Sequence, residues 1–257
     1  MSVNSDPFRL DDKIVIVTGA SSGIGRQCAI SCSEMGARVV LLGRDTERLN
    51  ATHAAMKTSE KHLPVSVDLT DYEKVQEIVG KIVSETGKIS GLINCAGIST
   101  TLPFHMSKPE KMDQFFHVNV HSAFNLTRIV TRQSNISEDG ASIVFISSVM
   151  GVVGENGKTL YSMTKGALIA GARSLAIELA PRNIRVNCIS PGVVETPMSK
   201  NAAYSRSEES VNKIKEMHPL GLGHPVDVAY ACIYLLSDAS RWVTGTNLVT
   251  DGGYTVR

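Results

Sequence analysis

The chain has 257 residues, 42% of them hydrophobic, and a formal net charge of +1. That is enough apolar content for one large domain with a full core, and scattered Lys and Arg leave no electrostatic footprint for nucleic acid or a membrane surface. No apolar run reaches the roughly 20 residues that span a bilayer, MSVNSDPFRLDDK lacks a secretory pattern, and five spread cysteines suit a reducing compartment, so a cytoplasmic globular protein is expected.

Ile14-Val15-Ile16-Val17 is β-branched and apolar on both faces, which predicts a buried strand. It runs into Thr18-Gly19-Ala20-Ser21-Ser22-Gly23-Ile24-Gly25 and a helix from about Ile24 to Met35, stopped by Gly36. Val39–Leu42 predicts the second strand, and Val65 with Val67 marks the third. Helical patterns follow over 71–86, 109–133, 159–180 and 225–236. Strands are expected near Leu92-Ile93, over 142–146, 184–189 and 247–250. Such alternation predicts a single-domain α/β fold, a Rossmann-type doubly wound parallel sheet with helices on both faces. The segment 195–223, rich in Ser, Glu, Lys and Asn, follows a strand end. It reads as a mobile substrate lid or as a solvated helix pair.

Chemistry enters first at the glycine loop. Gly19, Ser21, Ser22, Gly23, Ile24 and Gly25 join a strand to a helix. Such glycines let backbone approach a pyrophosphate, and the helix N-terminus supplies free N–H groups. The alternative is an ordinary glycine turn, since the spacing departs from G-x-G-x-x-G. Farther along, Tyr161 and Lys165 stand at i and i+4 on one helix face. A free tyrosine has a pKa near 10, and an adjacent ammonium favours the phenolate. Lowering that pKa by about 3 units takes roughly 4 kcal/mol. Asn119 interrupts a helical stretch in which asparagine is a poor former, a local conflict that points to function. His117 and His121 share a face but lack a third ligand, and Cys28 with Cys32 reads as small core residues, so no metal is predicted.

T-G-x-x-x-G-I-G from Thr18, Asn94-Cys95-Ala96-Gly97, Tyr161-x-x-x-Lys165, Pro191-Gly192 and Asp251-Gly252-Gly253 together resemble the classical short-chain dehydrogenase/reductase family, over about 13–254. The resemblance implies seven strands, a nicotinamide cofactor, a homotetramer and a catalytic set of Asn119, Ser148, Tyr161 and Lys165. Ser148 ends the fifth strand and is selected over Ser147 by the family pattern. It would donate to the substrate oxygen. Asn119 would hold a water linking Lys165 to solvent, and Lys165 the nicotinamide ribose, while the positive charge of an oxidised nicotinamide would join the ammonium in favouring the Tyr161 phenolate. Asp68 and the Leu69 backbone would meet the adenine edge. Asn94, Ala96 and Gly97 would admit the adenosine ribose, while Pro191, Gly192, Val194 and Thr196 would orient the carboxamide.

An NAD enzyme places an acid near the end of the second strand. Here that strand closes with Leu42-Gly43-Arg44-Asp45, and a guanidinium suits a 2′-phosphate. NADP(H) is therefore expected over NAD(H), although Ser22 departs from the basic residue many NADP members carry. Asp45 is either a ribose ligand or the cap of the next helix. The expected reaction moves hydride between cofactor and a ketone/secondary alcohol pair. The pattern is most similar to 3-oxoacyl-[acyl-carrier-protein] reductases, which makes an acyl carrier protein a candidate partner. Arg182 would favour such docking, and Ser137-Glu138-Asp139, taken as a helix end, would oppose it. NAD-preferring sugar-alcohol or steroid dehydrogenases and a catalytically silent NADP(H) sensor are the alternatives. Glu155, Asn156, Met198, Tyr204, Met217 and His218 are candidates to face substrate.

Overall fold

The structure, a computed structural model, describes residues 6–200, 202 and 207–256. Strands β1 (Ile14–Thr18), β2 (Arg38–Gly43), β3 (Leu63–Ser66), β4 (Gly91–Asn94), β5 (Ala141–Ile146), β6 (Ile184–Pro191) and β7 (Asn247–Thr250) form one sheet in the order β3-β2-β1-β4-β5-β6-β7. All pairs are parallel, with Val17 beside both Leu41 and Ile93, and Phe145 beside Cys188. The order reverses between β1 and β4, so the carboxyl ends of those strands splay apart into a crevice.

Alternation along each strand explains why the apolar runs are continuous. Ile16, Val40, Leu92, Ile143 and Val186 face one core, packed by α3 (Tyr72–Thr86), α5 (Ser122–Val130) and α6 (Thr159–Leu179). Val15, Val17, Val39, Ile93 and Val144 face the other, covered by α1 (Gly23–Glu34) and α9 (Pro225–Leu236). Small residues let α1 and α9 pack closely: Cys28 Sγ lies 3.7 Å from Cys232 Sγ. Cys28 and Cys32 are core residues, as expected, and all five cysteines are free thiols.

Several elements differ from expectation. A helix α2 (Thr46–Ala54) lies between β2 and β3, and Asp45 caps it by accepting from the Arg48 N–H at 3.0 Å. The third strand ends at Ser66, before Val67. The expected helix over 109–133 is three pieces: α4 (Pro109–Phe116), a π-helical turn His117–His121, and α5, which stops at Val130. Glu138 and Asp139 lie beyond that helix, in the loop leading into β5. Glu138 pairs with Lys88 at 2.6 Å, and Arg182 Nη2 donates to the Thr131 carbonyl at 2.6 Å. Both positions precede strand N-termini, the sheet edge opposite the crevice. Neither bears on docking there.

Segment 195–223 carries α7 (Pro197–Lys200) and α8 (Glu208–Glu216). Its ends are tied together: the Gly223 N–H donates to the Val193 carbonyl at 3.0 Å and the Glu195 N–H to the Gly223 carbonyl at 2.8 Å. Tyr204 lies outside the described residues. Among the described residues, no helix is long and apolar enough to cross a membrane.

Candidate active site

The carboxyl ends of β1, β2, β4, β5 and β6 border a cleft of about 690 Å³. At its floor the glycine loop turns into α1. Gly19 (φ +66°) presses against strand β4's exit, where a Cβ would meet Ala96 Cα at 3.1 Å. Gly25 is tighter still, since a Cβ there would overlap the Gly19 carbonyl oxygen. Ser22 sits at the N-cap with no side-chain cap bond, and no acid occupies the first turn. The first N–H groups of α1 are therefore left for an anion. Gly19, Ser21, Ser22, Gly23, Ile24 and Gly25 all line the cleft.

Thr18, which sequence reasoning passed over, joins the two splayed strands. Its hydroxyl donates to the Ile93 carbonyl at 3.3 Å and accepts from the Cys95 and Ala96 N–H groups, both at 2.9 Å. Ala96 and Gly97 line the cleft, but Asn94 does not. Asn94 is 4% exposed and donates to Thr127 Oγ1 at 3.0 Å. The side chain expected at a ribose thus turns into the interior and anchors α5.

At the β2 end, Arg44 is exposed, with Nη1 3.9 Å from Asp68 Oδ2. Asp68 also accepts from Thr70 N and Oγ1 at 2.9 and 2.7 Å, and those bonds, more than Arg44, hold its pKa below the usual carboxylate value. Leu69 lines the same end, as does Arg48, a second cation that the sequence reading did not single out. Its spacing of four from Arg44, across the Asp45 cap, was the available signal.

The polar working set converges on the other half. Ser148 lies two residues past β5, where it caps a single 3₁₀ turn by accepting from Met150 N at 3.2 Å. Its hydroxyl is near enough to the Tyr161 phenol to lower its pKa, against the larger effect of burial. Ser147 instead donates to the Lys165 carbonyl at 2.8 Å, which leaves Ser148 as the hydroxyl beside Tyr161. Lys165 is 5% exposed. Its Nζ donates to the Ile146 carbonyl at 2.8 Å and lies 5.5 Å from the centre of the Tyr161 ring.

Burial dominates the electrostatics of this pair. Burial pushes Tyr161 up to about 12, with Ser148 opposing and Lys165 contributing no lowering. Burial also brings Lys165 down to about 8. The ammonium donates to the Ile146 carbonyl and stands over the ring. Both shifts follow from burial and favour the neutral form of each group.

Asn119 is 1% exposed and lies behind the wall. Its Nδ2 donates to the Ile98 carbonyl and to Thr164 Oγ1, both at 3.0 Å, and its Oδ1 accepts from Ile98 N at 2.8 Å. Gly97 is packed against it: a Cβ there would stand 3.1 Å from Asn119 Oδ1 and 3.7 Å from Lys165 Nζ. The π turn bonds Ser122 N to the His117 carbonyl and so re-phases the helix around this residue. His117 lines the cleft, with Nδ1 3.1 Å from the Tyr72 hydroxyl. Among the described residues there is no group of three or more His, Cys, Asp and Glu able to hold a metal ion.

Pro191 ends β6 and Gly192, Val194 and Thr196 follow it along the cleft wall, with Asp251 closing behind Gly192. His218, a candidate to face substrate, is buried. Its Nδ1–H donates to the Ile214 carbonyl at 2.7 Å, and its Nε2 accepts from Val193 N at 3.1 Å, which props this wall from behind. Met217 packs beside Val149, Met150 and Tyr254. Met198 and Glu155 do line the cleft, whereas Asn156 is exposed and does not.

A glycine cradle at a helix N-terminus, beside a Ser–Tyr–Lys cluster at the carboxyl edge of a parallel sheet, defines a dinucleotide-dependent oxidoreductase. A family model described as enoyl-(acyl carrier protein) reductase matches residues 19–255. The 3-oxoacyl-[acyl-carrier-protein] reductase FabG of Thermotoga maritima is 36% identical over 97% of this chain and 100% of its own length. An NAD-dependent glycerol dehydrogenase of Listeria innocua is 35% identical, over 97% of this chain and 96% of its own. Among solved structures, 7 alpha-hydroxysteroid dehydrogenase complexed with NADH and 7-oxo glycochenodeoxycholic acid superposes with a TM-score of 0.90 at 31% identity, covering 97% of each chain. The chain belongs to the short-chain dehydrogenase/reductase family, oxidoreductases that bind nicotinamide cofactors and act on CH–OH and carbonyl groups.

Proposed function

We propose that this protein is an NADP(H)-dependent reductase that interconverts a ketone and a secondary alcohol, with Asn119, Ser148, Tyr161 and Lys165 as its working set. The observation that carries this reading is Tyr161, grouped with Ser148 and Lys165 in a cleft that begins in a glycine cradle. The nicotinamide, when bound, supplies or accepts the hydride. Everything else is the work of side chains. Tyr161, protonated up to about pH 12, holds a proton at its ring oxygen and delivers it to the carbonyl oxygen in the reducing direction. Ser148 donates a second hydrogen bond to that oxygen and lowers the cost of charge developing there. Asn119 would help hold a water that links Lys165 to solvent, the route by which Tyr161 regains its proton. Segment 195–223 covers the substrate end through Met198 and Ile214.

The test is oxidation of NADPH with a broad panel of carbonyl compounds, acetoacetyl thioesters among them because of the FabG likeness. Tight NADPH binding with no turnover across the panel would favour a silent sensor instead. Assembly as a homotetramer is part of the proposal. Ile177 on α6 is 77% exposed, in keeping with a face covered by another copy, and sedimentation measures the count.

Arg44 and Arg48 bear on the choice of dinucleotide. Arg44 would hold the 2′-phosphate beside Gly43, where an NAD enzyme would carry an acid. Arg44→Ala is expected to weaken NADPH about 10- to 100-fold and NADH less than about threefold, the scale of a charge-assisted hydrogen bond. A wild-type preference for NAD of tenfold or more would reverse the assignment.

A pH dependence follows from Lys165. Its cation is present below about 8 and lost as pH rises through that value. Because Lys165 is assigned to the nicotinamide ribose, NADPH affinity should fall above pH 8 while Tyr161 stays protonated. Fluorescence titration of NADPH between about pH 6.5 and about pH 9.5 reads this directly. A flat profile would remove Lys165 from the cofactor site.

A further inference from the structure

Among the described residues, Lys158 is the one lysine or arginine lining the cleft to which the proposed reaction and its cofactor give no role. It occupies the N-cap of α6, one turn before Tyr161. Lysines in glycine-rich loops normally extend to water, yet this one is 9% exposed and lines the cleft. The loop fold causes this. Leu102 N donates to the Gly157 carbonyl at 2.8 Å, and Gly157 (φ +74°) packs against Thr101, which draws the 98–102 strap across the lysine.

Such burial is costly for an ammonium unless it is paired. The Lys158 Nζ has the Thr100 carbonyl oxygen at 3.4 Å, at the long limit of a hydrogen bond. Among the described residues it is in no ion pair. Glu155, exposed, attracts it only from a distance, and burial lowers its pKa. The other cations on the cleft walls are committed. Arg44 and Arg48 sit at the β2 end, and Lys165 lies behind the Tyr161 ring.

We propose that Lys158 receives a carboxylate of the substrate, so that the carbonyl compound reduced here is an oxo acid with its carboxylate a few bonds from the ketone carbon. The inference rests on the reading of Tyr161 as the proton donor, because the distance between the two groups of the substrate is set by one helical turn. A single ammonium, with a carboxylate in the neighbourhood, balances a monoanion better than a phosphate dianion. Lys158 is a positioning and specificity residue: it fixes which end of the molecule faces Tyr161.

Matched pairs test this: acetoacetate and levulinate against their methyl esters, with acetoacetyl thioester as a neutral competitor, at saturating NADPH. The wild type is expected to prefer each acid over its ester by at least about tenfold in kcat/KM, mostly through KM. Lys158→Met, which keeps the length of the side chain, is expected to move that acid-to-ester ratio about 10- to 100-fold toward the ester. Esters or thioester used as well as the acids by the wild type, or equal losses on both in the variant, would overturn the assignment. A second readout separates it from the catalytic proposal. With NADPH present, the acids should raise the melting temperature of Tyr161→Phe protein but not of the Tyr161→Phe/Lys158→Met double variant. Stabilisation through Lys158 without turnover of any carbonyl would retire the reductase reading and keep the anion site. Neither stabilisation nor turnover by the acids would retire the anion site.

Discussion

Tyr161→Phe is expected to lower kcat for NADPH-dependent carbonyl reduction by about 1,000-fold, within the range of roughly 100 to 10,000 that a positioned proton donor contributes. The substitution removes one oxygen and keeps the ring, so packing against the Val149, Met150 and Tyr254 cluster persists. Ser148 keeps its bond from Met150 N and its place at the cap of the turn. Dinucleotide affinity should therefore change by less than about tenfold, and the melting temperature by no more than a few degrees. Rate and affinity measured on one preparation separate chemistry from binding. A variant that retains more than about a tenth of wild-type kcat would mean that another group supplies the proton.

The second large effect is structural. Gly25→Ala would force its Cβ into the Gly19 carbonyl oxygen and to within 2.9 Å of the Thr18 carbonyl oxygen. Both are backbone atoms at the exit of β1, pinned by the parallel ladders on either side. Relief therefore moves the helix away from the loop, and with it the N–H groups that would face a pyrophosphate. Overpacking of this kind costs about 1–3 kcal/mol, a fall in melting temperature of about 2–10 °C for a chain of this size. NADPH affinity should drop by at least tenfold, since N–H positions at a helix start set anion binding. Calorimetry and fluorescence titration give the two numbers. Full affinity in a folded variant would show that the cradle tolerates a methyl group.

Most of the sheet could be read from the chain because strand burial on both faces leaves continuous β-branched runs, and Pro225–Leu236 and Asn247–Thr250 match expectation residue for residue. The π turn at His117–His121 was not readable as such. Asn119 announced a conflict with helix, but its resolution depends on Ile98 and Thr164, more than 20 and 40 residues away. Asn94 misled for a related reason. A small polar residue at a strand end suits either a ligand or an interior anchor, and the partner that decides, Thr127, belongs to a distant helix. Helical spacing placed Lys165 beside Tyr161, but it could not show that burial would push the phenol up or that the Ile146 carbonyl would hold the ammonium. Lys158 was passed over altogether. Only the strap folded across it turns an ordinary loop lysine into a buried one.

The clasp formed by Val193, Glu195 and Gly223 divides labour within the polypeptide. Because the two ends of the excursion already meet in backbone hydrogen bonds, the stretch ahead of Met217 and His218 is free to vary in length. Doubling that stretch adds only about 0.6 kcal/mol of closure entropy, while His218, accepting from Val193 N, keeps the clasp in place. Selectivity for one carbonyl compound over another can thus diverge rapidly here, on a scaffold whose catalytic geometry stays still.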